Sequence, residues 1–218
     1  MTIFPQPIEA VIFDMDGLLL DTEAVYERAL MQAARLVGFE MSETFCRSMI
    51  GMPGPECDAL IQTFFGPEFP LGAFNRAFEA DVERRLEAGI PVKAGAIELL
   101  DRLAVRGLPK AIATSSSRRT AEHHLGRSSL IDRFDFVVTR DDVDRGKRQP
   151  DVYLKAAEKL GISPTRCLAL EDSHHGIVAA HAAGTMPVMV PDMLRPTDEV
   201  RRLCVLIARD LHEVRMLL

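Results

Sequence analysis

The stretch Ala10-Val11-Ile12-Phe13-Asp14-Met15-Asp16-Gly17 decides the reading of this chain. Its first four residues form an apolar run typical of a short buried strand, and the run stops on two carboxylates two positions apart. If the strand period of two continued, Asp14 and Asp16 would share a face, and Gly17 would let the backbone turn at once. An acidic group is costly to bury unpaired, so a strand ending on Asp-x-Asp-Gly calls for a nearby cation or a chemical task. Asp and Gly also favour ordinary turns, so the motif alone leaves a plain polar strand end open.

The segments on either side of this strand differ in texture. From Thr22 to about Gly89 the pattern is helical. Apolar stripes run through Tyr26, Leu30, Ala33 and Val37, then Cys57, Leu60, Ile61 and Phe64, then Phe74, Phe78, Val82 and Leu86, with stops at Gly38, Gly66-Pro67 and Gly89. From Pro91 onward helices and strands alternate. A helix over Ala94–Leu103 is followed by a strand at Ala111–Thr114, and a second helix ends near Gly126 before a strand at Phe134–Val138. A helix opened by Pro150 then leads to a strand at Cys167–Leu170, a helix at Ile177–Ala183 and a strand at Val188–Val190. Alternation of this kind predicts an α/β fold, a Rossmann-like doubly wound parallel sheet. The expected division is a core of residues 1–20 and 90–218 with an inserted α-helical domain at 21–89, hinged near Asp21 and Gly89–Pro91.

In such a sheet ligands bind at the carboxyl ends of the strands. Three predicted strands end on chemistry there: Asp14/Asp16, the hydroxyl run Thr114-Ser115-Ser116-Ser117, and Glu171-Asp172. Lys147 lies between the second and third. Carboxylates, a hydroxyl and a lysine suit Mg²⁺ and a phosphate, because Mg²⁺ takes hard oxygen ligands and the donors meet phosphoryl oxygens.

The set Asp14-x-Asp16, Ser115, Lys147 and Glu171-Asp172, with a helical insert after the first strand, resembles the haloacid dehalogenase superfamily over nearly the whole chain. Within it the chain is most similar to helical-cap phosphatases and phosphoglucomutases. The resemblance implies Asp14 as nucleophile and Asp16 as general acid/base. It implies Ser115 as the phosphoryl-binding hydroxyl, with Thr114 the alternative in register, and Lys147 as partner of nucleophile and phosphate. Mg²⁺ would sit on Asp14, Asp172 and the backbone carbonyl of Asp16, with Glu171 assisting. Gly17, Glu23, Gly51, Thr114 and Ser116 are the expected substrate contacts. Two departures stand out. Arg148 replaces the first proline of the family's usual Lys-Pro-x-Pro-Asp, and the loop Gly51-Met52-Pro53-Gly54-Pro55 lacks the arginine with which sugar-phosphate mutases of the family grip a second phosphate.

Other polar groups read as ordinary surface. The pairs His123-His124 and His174-His175 lie on predicted helices, where adjacent side chains diverge and cannot share a metal. Arg118-Arg119 read as a solvated helix start, and Asp141, Asp142 and Asp144 as loop charge. The net charge of −6 over 218 residues argues against nucleic acid and against anionic membranes, and no apolar run is long enough to span a bilayer. The N-terminus lacks a basic flank and does not read as a signal peptide. Scattered Cys46, Cys57, Cys167 and Cys204 read as reduced thiols of a cytoplasmic protein. The expectation is a cytoplasmic monomer, with weak homo-oligomerisation as the alternative, that hydrolyses a small phosphorylated molecule. A mutase, a 2-haloacid dehalogenase and a phospho-receiver domain are the rival classes. Asp16 has no evident task in a dehalogenase, and receiver domains are shorter and lack the insert.

Overall fold

A computed structural model describes residues 4–49 and 54–218. The chain divides into two compact units, Met1–Asp21 with Pro91–Leu218, and Thr22–Ile90.

The first unit is built on a six-stranded sheet, all of whose pairings are parallel. Its strands are β1 (Ala10–Phe13), β2 (Lys110–Ala113), β3 (Phe136–Val138), β4 (Cys167–Glu171), β5 (Met186–Met189) and β6 (Leu206–Ile207), in the order β3-β2-β1-β4-β5-β6. The order reverses direction at β1, which places a topological switch point between β1 and β4. β1 lies between β2 and β4 and every residue in it is buried, which is why its sequence is continuously apolar rather than alternating. The connecting helices of this unit pack against the sheet. Val152, Tyr153, Ala156 and Ala157 of one of them join Ile12, Ala111, Ala113 and Ala169 in a single apolar cluster.

The second unit holds α1 (Thr22–Leu36), α2 (Glu43–Ser48), α3 (Gly54–Phe65) and α4 (Leu71–Glu87). Its core gathers Ala33, Ala34, Met41, Phe45, Cys46, Ile61, Phe69 and Phe74. Aromatic rings dominate it, with Phe65 stacked on Phe69 at 5.0 Å and Phe45 4.2 Å from Phe64. The buried face of α1 is Val25, Ala29, Ala33 and Ala34, so only Ala33 of the expected stripe is fully inside. The small alanines form the seat, and the larger Tyr26 and Leu30 flank it, half-buried.

The two linkers between the units run side by side at their ends in the first unit. Leu20 bridges to Val92, Asp21 N–H donates to the Pro91 carbonyl at 2.9 Å, and Lys93 N–H donates to the Leu19 carbonyl at 2.8 Å. Lys93 Nζ then reaches Asp192 at 2.7 Å and Asp21 at 3.4 Å.

The remaining helices of the first unit are α5 (Ala96–Val105), α6 (Arg118–Arg127), α7 (Asp151–Leu160), α8 (His174–Ala182), α9 (Asp198–Leu203) and α10 (Leu211–Leu217). β3 begins two residues later than its apolar run. Asp135 instead ties to Lys110, donating its N–H to the carbonyl and accepting the Lys110 N–H on its carboxylate. None of the described helices is long and apolar enough to cross a membrane.

Candidate active site

Phe13 pairs with Leu170 at the ends of β1 and β4, and the ladder continues one step as Asp14 N–H donates to the Leu170 carbonyl at 3.0 Å. That register sets Asp14 beside Glu171, the last residue of β4. Lys147, from the loop before α7, donates to Asp14 Oδ1 and, at 2.5 Å, to Glu171 Oε1. All three side chains are at most 8% exposed. The ammonium also lies 5.5 Å from the centroid of the Tyr153 ring, whose hydroxyl donates to Glu171 Oε1 at 2.7 Å.

Glu171 is a fully committed carboxylate. Its Oε2 accepts from Ser173 N–H at 3.1 Å and Ser173 Oγ at 2.8 Å, while Ser173 caps the N-terminus of α8 through Gly176 N–H. Gly176 is required there, since a Cβ would fall 1.8 Å from Glu171 Oε1. Glu171 therefore orients Lys147, Tyr153 and the start of α8 together.

Burial pushes the Asp14 carboxyl well above the usual carboxylate range; Lys147 opposes that shift, while Glu171 and Asp16 add to it. Burial disfavours the Lys147 ammonium, but Asp14 and Glu171 outweigh it and raise its pKa. Burial and Glu171 likewise lift the Tyr153 phenol far above its ordinary value.

Asp172 follows directly, half-buried. Gly17, at φ +84°, makes room for it: a Cβ on Gly17 would lie 2.3 Å from Asp172 Oδ2. Asp14, Glu171 and Asp172 each present an oxygen within 4.8 Å of the others. Three carboxylates facing one lysine leave excess negative charge, and hard oxygen donors are the set that Mg²⁺ or Ca²⁺ prefers. The cluster fits a divalent cation, with Asp14 and Asp172 as the carboxylates best placed to bind, because both oxygens of Glu171 are engaged. Gly17→Ala is expected to weaken divalent-cation binding roughly tenfold or more by displacing Asp172. Calorimetric titration of the folded variant checks this, and unchanged affinity would remove Asp172 from the metal site.

The hydroxyl run divides its tasks. Thr114 follows β2 directly and is 2% exposed. Its Oγ1 accepts from Ser116 N–H at 3.0 Å, which leaves its own proton to donate. Ser115 is exposed. Ser116 Oγ donates to Asp16 Oδ2 at 2.8 Å, and Ser117 caps α6 by accepting from Thr120 N–H.

Asp14 and Asp16 thus hold different partners. β1 stops at Phe13 and the backbone turns, with Leu19 and Leu20 N–H both donating to the Met15 carbonyl, so the strand period does not carry through to Asp16. Of the other expected substrate contacts, Glu23 is half-buried on α1 in the helical unit, and Gly51 lies outside the described residues.

Three surface readings are corrected. His124 is 2% exposed, with its Nδ1 3.5 Å from Asp16 Oδ1. Its helix phase explains the burial: it lies three residues after Ala121 and one before Leu125 on the inner face of α6, while His123 is exposed. Arg118 and Asp142 form a 2.5 Å clasp between α6 and the end of β3, and Asp142 also accepts from Thr139 N–H. Arg148 has φ +91°, a conformation closed to proline, so the departure from the family pattern allows a different loop path after Lys147. Its guanidinium meets His175 Nε2 at 2.6 Å, and burial followed by that charge lowers the His175 pKa, favouring the neutral ring that can accept the bond.

Residues 11–190 match the family model of the haloacid dehalogenase-like hydrolases. The chain belongs to that family. Among curated relatives, the phosphorylated carbohydrates phosphatase of Thermotoga maritima is 33% identical over 177 residues, covering 81% of this chain and 82% of the relative. Hexitol phosphatase B of Escherichia coli is 31% identical, covering 86% and 85%. A solved Thermotoga maritima structure, assigned provisionally as a beta-phosphoglucomutase, superposes with a TM-score of 0.83. It is 29% identical, covering 96% of this chain and 97% of that one. This haloacid dehalogenase-like hydrolase groups with the phosphatases and is an enzyme of that kind, a phosphoric monoester hydrolase.

Proposed function

We propose that the chain is a Mg²⁺-dependent phosphatase acting on a small sugar or polyol phosphate through an aspartyl-phosphate on Asp14. The observation that carries this is the buried Asp14–Lys147 pair at the carboxyl end of the central strand, with Asp172 and the Thr114 hydroxyl on the same sheet edge. The substrate class rests on the phosphorylated-carbohydrate and hexitol phosphatases to which the chain is similar.

In the first half-reaction an Asp14 carboxylate oxygen forms a bond to phosphorus, the ester P–O bond breaks, and Asp16 gives its proton to the departing alcohol oxygen. In the second, Asp16 takes a proton from water as the water oxygen attacks phosphorus. Inorganic phosphate leaves and the Asp14 carboxylate is regenerated. Lys147 opposes the burial that disfavours an ionised Asp14 and offers positive charge to the phosphoryl oxygens. Thr114, whose oxygen already accepts from Ser116 N–H, would donate its proton to a phosphoryl oxygen. This reading puts Thr114 in the role expected of Ser115. Mg²⁺ held by Asp14, Asp172 and the Asp16 carbonyl would neutralise phosphoryl charge as it develops. Glu171 positions Lys147 rather than entering the reaction.

Hydrolysis is favoured over a mutase reaction by Arg47, a cation four residues before Gly51 in sequence, just ahead of the loop that a mutase would need to hold a second phosphate. Its guanidinium is engaged within the helical unit by Glu27 at 3.1 Å and Glu43 at 3.3 Å. The cysteines are all free and scattered, which suits a reducing cytoplasm, and we take the enzyme to be a monomer there.

Phosphate release over a panel of sugar, polyol and nucleotide monophosphates with Mg²⁺ tests the reading. Turnover is expected on sugar or polyol esters and is lost on chelation. Incubation with β-glucose 1-phosphate, primed by a trace of glucose 1,6-bisphosphate, separates the rival. Rapid glucose 6-phosphate formation with little free phosphate would make the enzyme a mutase.

A further inference from the structure

The inner face of α6 carries Ala121, His124 and Leu125. The His124 ring is as buried as its apolar neighbours, and its Nδ1 makes no hydrogen bond of good geometry among the described residues. An unsatisfied buried donor or acceptor carries a desolvation penalty that an apolar side chain at the same place would avoid. A polar ring kept under that penalty calls for a partner, and Asp16 Oδ1 is the charged group within ion-pair reach of Nδ1, at 3.5 Å.

Ser116 Oγ donates to the other oxygen of the same carboxyl, Oδ2, at 2.8 Å. Ser116 belongs to the β2–α6 loop and His124 to the second turn of α6, so the two contacts come from separate points on one rigid segment. Contacts of different kinds at the two oxygens fix which oxygen faces the reaction and which faces the protein. Proton transfer depends on that orientation, and catalytic hydrogen bonds that are long in a resting enzyme tighten as the reaction proceeds.

We infer that His124 is a positioning residue for Asp16. Its Nδ1–H directs the carboxyl so that a defined oxygen delivers the proton to the leaving alcohol. The inference rests on the phosphatase reading above and adds a residue to it. His124 touches neither substrate nor phosphorus, so its removal is expected to harm the proton-transfer task of Asp16 selectively.

Leaving-group dependence reads that task. An alkyl phosphate needs its departing oxygen protonated, whereas 4-nitrophenyl phosphate releases a stable phenolate without help, and kcat/KM reports the steps up to ester cleavage. For His124→Leu, kcat/KM on an alkyl phosphate is expected to fall about tenfold or more, and on the aryl ester by less than about threefold. His124→Asn sets an amide nitrogen near the position of Nδ1, and His124→Gln near Nε2. Asn is therefore expected to recover most of the alkyl-ester activity, and Gln little. Thermal melts establish folding, and if the leucine variant fails to fold, the Asn–Gln comparison decides. Equal losses on both esters, no loss on either, or Gln restoring activity as well as Asn would overturn the inference. Wild-type enzyme that cleaves neither ester would instead overturn the phosphatase reading on which it stands.

Discussion

Asp14→Asn is expected to lower phosphate release by at least about 10⁴-fold while leaving the protein folded, because the proposed covalent nucleophile is lost at nearly constant volume. Stability should hold for a physical reason. Asp14 is 6% exposed, and burial with Glu171 and Asp16 nearby already works against its charge. An amide keeps an oxygen to accept from Lys147 and removes one negative charge from a crowded site, while Lys147 retains Glu171. The melting temperature is therefore expected to change little, with activity absent. Rapid acid quench followed by peptide mass measurement checks the covalent step directly. The wild type should gain one phosphoryl group on the peptide containing Asp14, and the variant none. A folded variant within about tenfold of wild-type turnover would remove Asp14 from the nucleophile's role.

The elements that place this site are legible in the sequence to the extent that they are long or continuously apolar. Ala10–Phe13 and Cys167–Leu170 read as buried strands because β1 and β4 have neighbours on both sides, and their ends mark where the carboxylates must emerge. In the shortest elements the signal thins. α2 and α9 have six residues each and β6 has two, too few to show a period, and only their capping residues Ser42 and Thr197 mark the helix starts. Within the site, the hydroxyl run hides its register, because Thr114 and Ser115 offer the same chemistry. The end of β2 at Ala113 puts Thr114, rather than exposed Ser115, at the strand terminus. The sequence also cannot tell Glu171 from Asp172 by role. The difference comes from side-chain direction: Glu171 turns inward to Lys147, Tyr153 and Ser173, and Asp172 fills the space left by Gly17. His124 had a usable signal in its helix phase with Ala121 and Leu125, but its link to Asp16 is a tertiary contact over a hundred residues away in sequence and has no local trace.

Lys147→Met is expected to damage both activity and stability, and the two losses have one cause. The ammonium is 7% exposed and pairs with two carboxylates that are themselves 8% and 0% exposed. Methionine fills much of the same space without the charge, leaving buried acids with no cation. Breaking such a pair from one side costs about 3–5 kcal/mol, because the remaining charge is neither hydrated nor paired. The pH dependence identifies the mechanism. Burial holds the Asp14 pKa above its unfolded value, and losing Lys147 removes the one neighbour that opposes this shift. The folded variant then binds protons more tightly than the unfolded chain, so its stability is greatest at acidic pH. It declines as pH rises from the ordinary carboxylate range towards the raised value. Mg²⁺ should restore part of the loss near neutral pH, since a cation on Asp14 and Asp172 answers the same excess charge and binds only the folded site. Activity should not return with it, because the charge that Lys147 is proposed to present to the phosphoryl oxygens is still missing. Thermal melts across acidic to mildly alkaline pH, with and without Mg²⁺, check each step. A variant as stable as the wild type at mildly alkaline pH without metal would mean that Lys147 is not what balances the buried carboxylates.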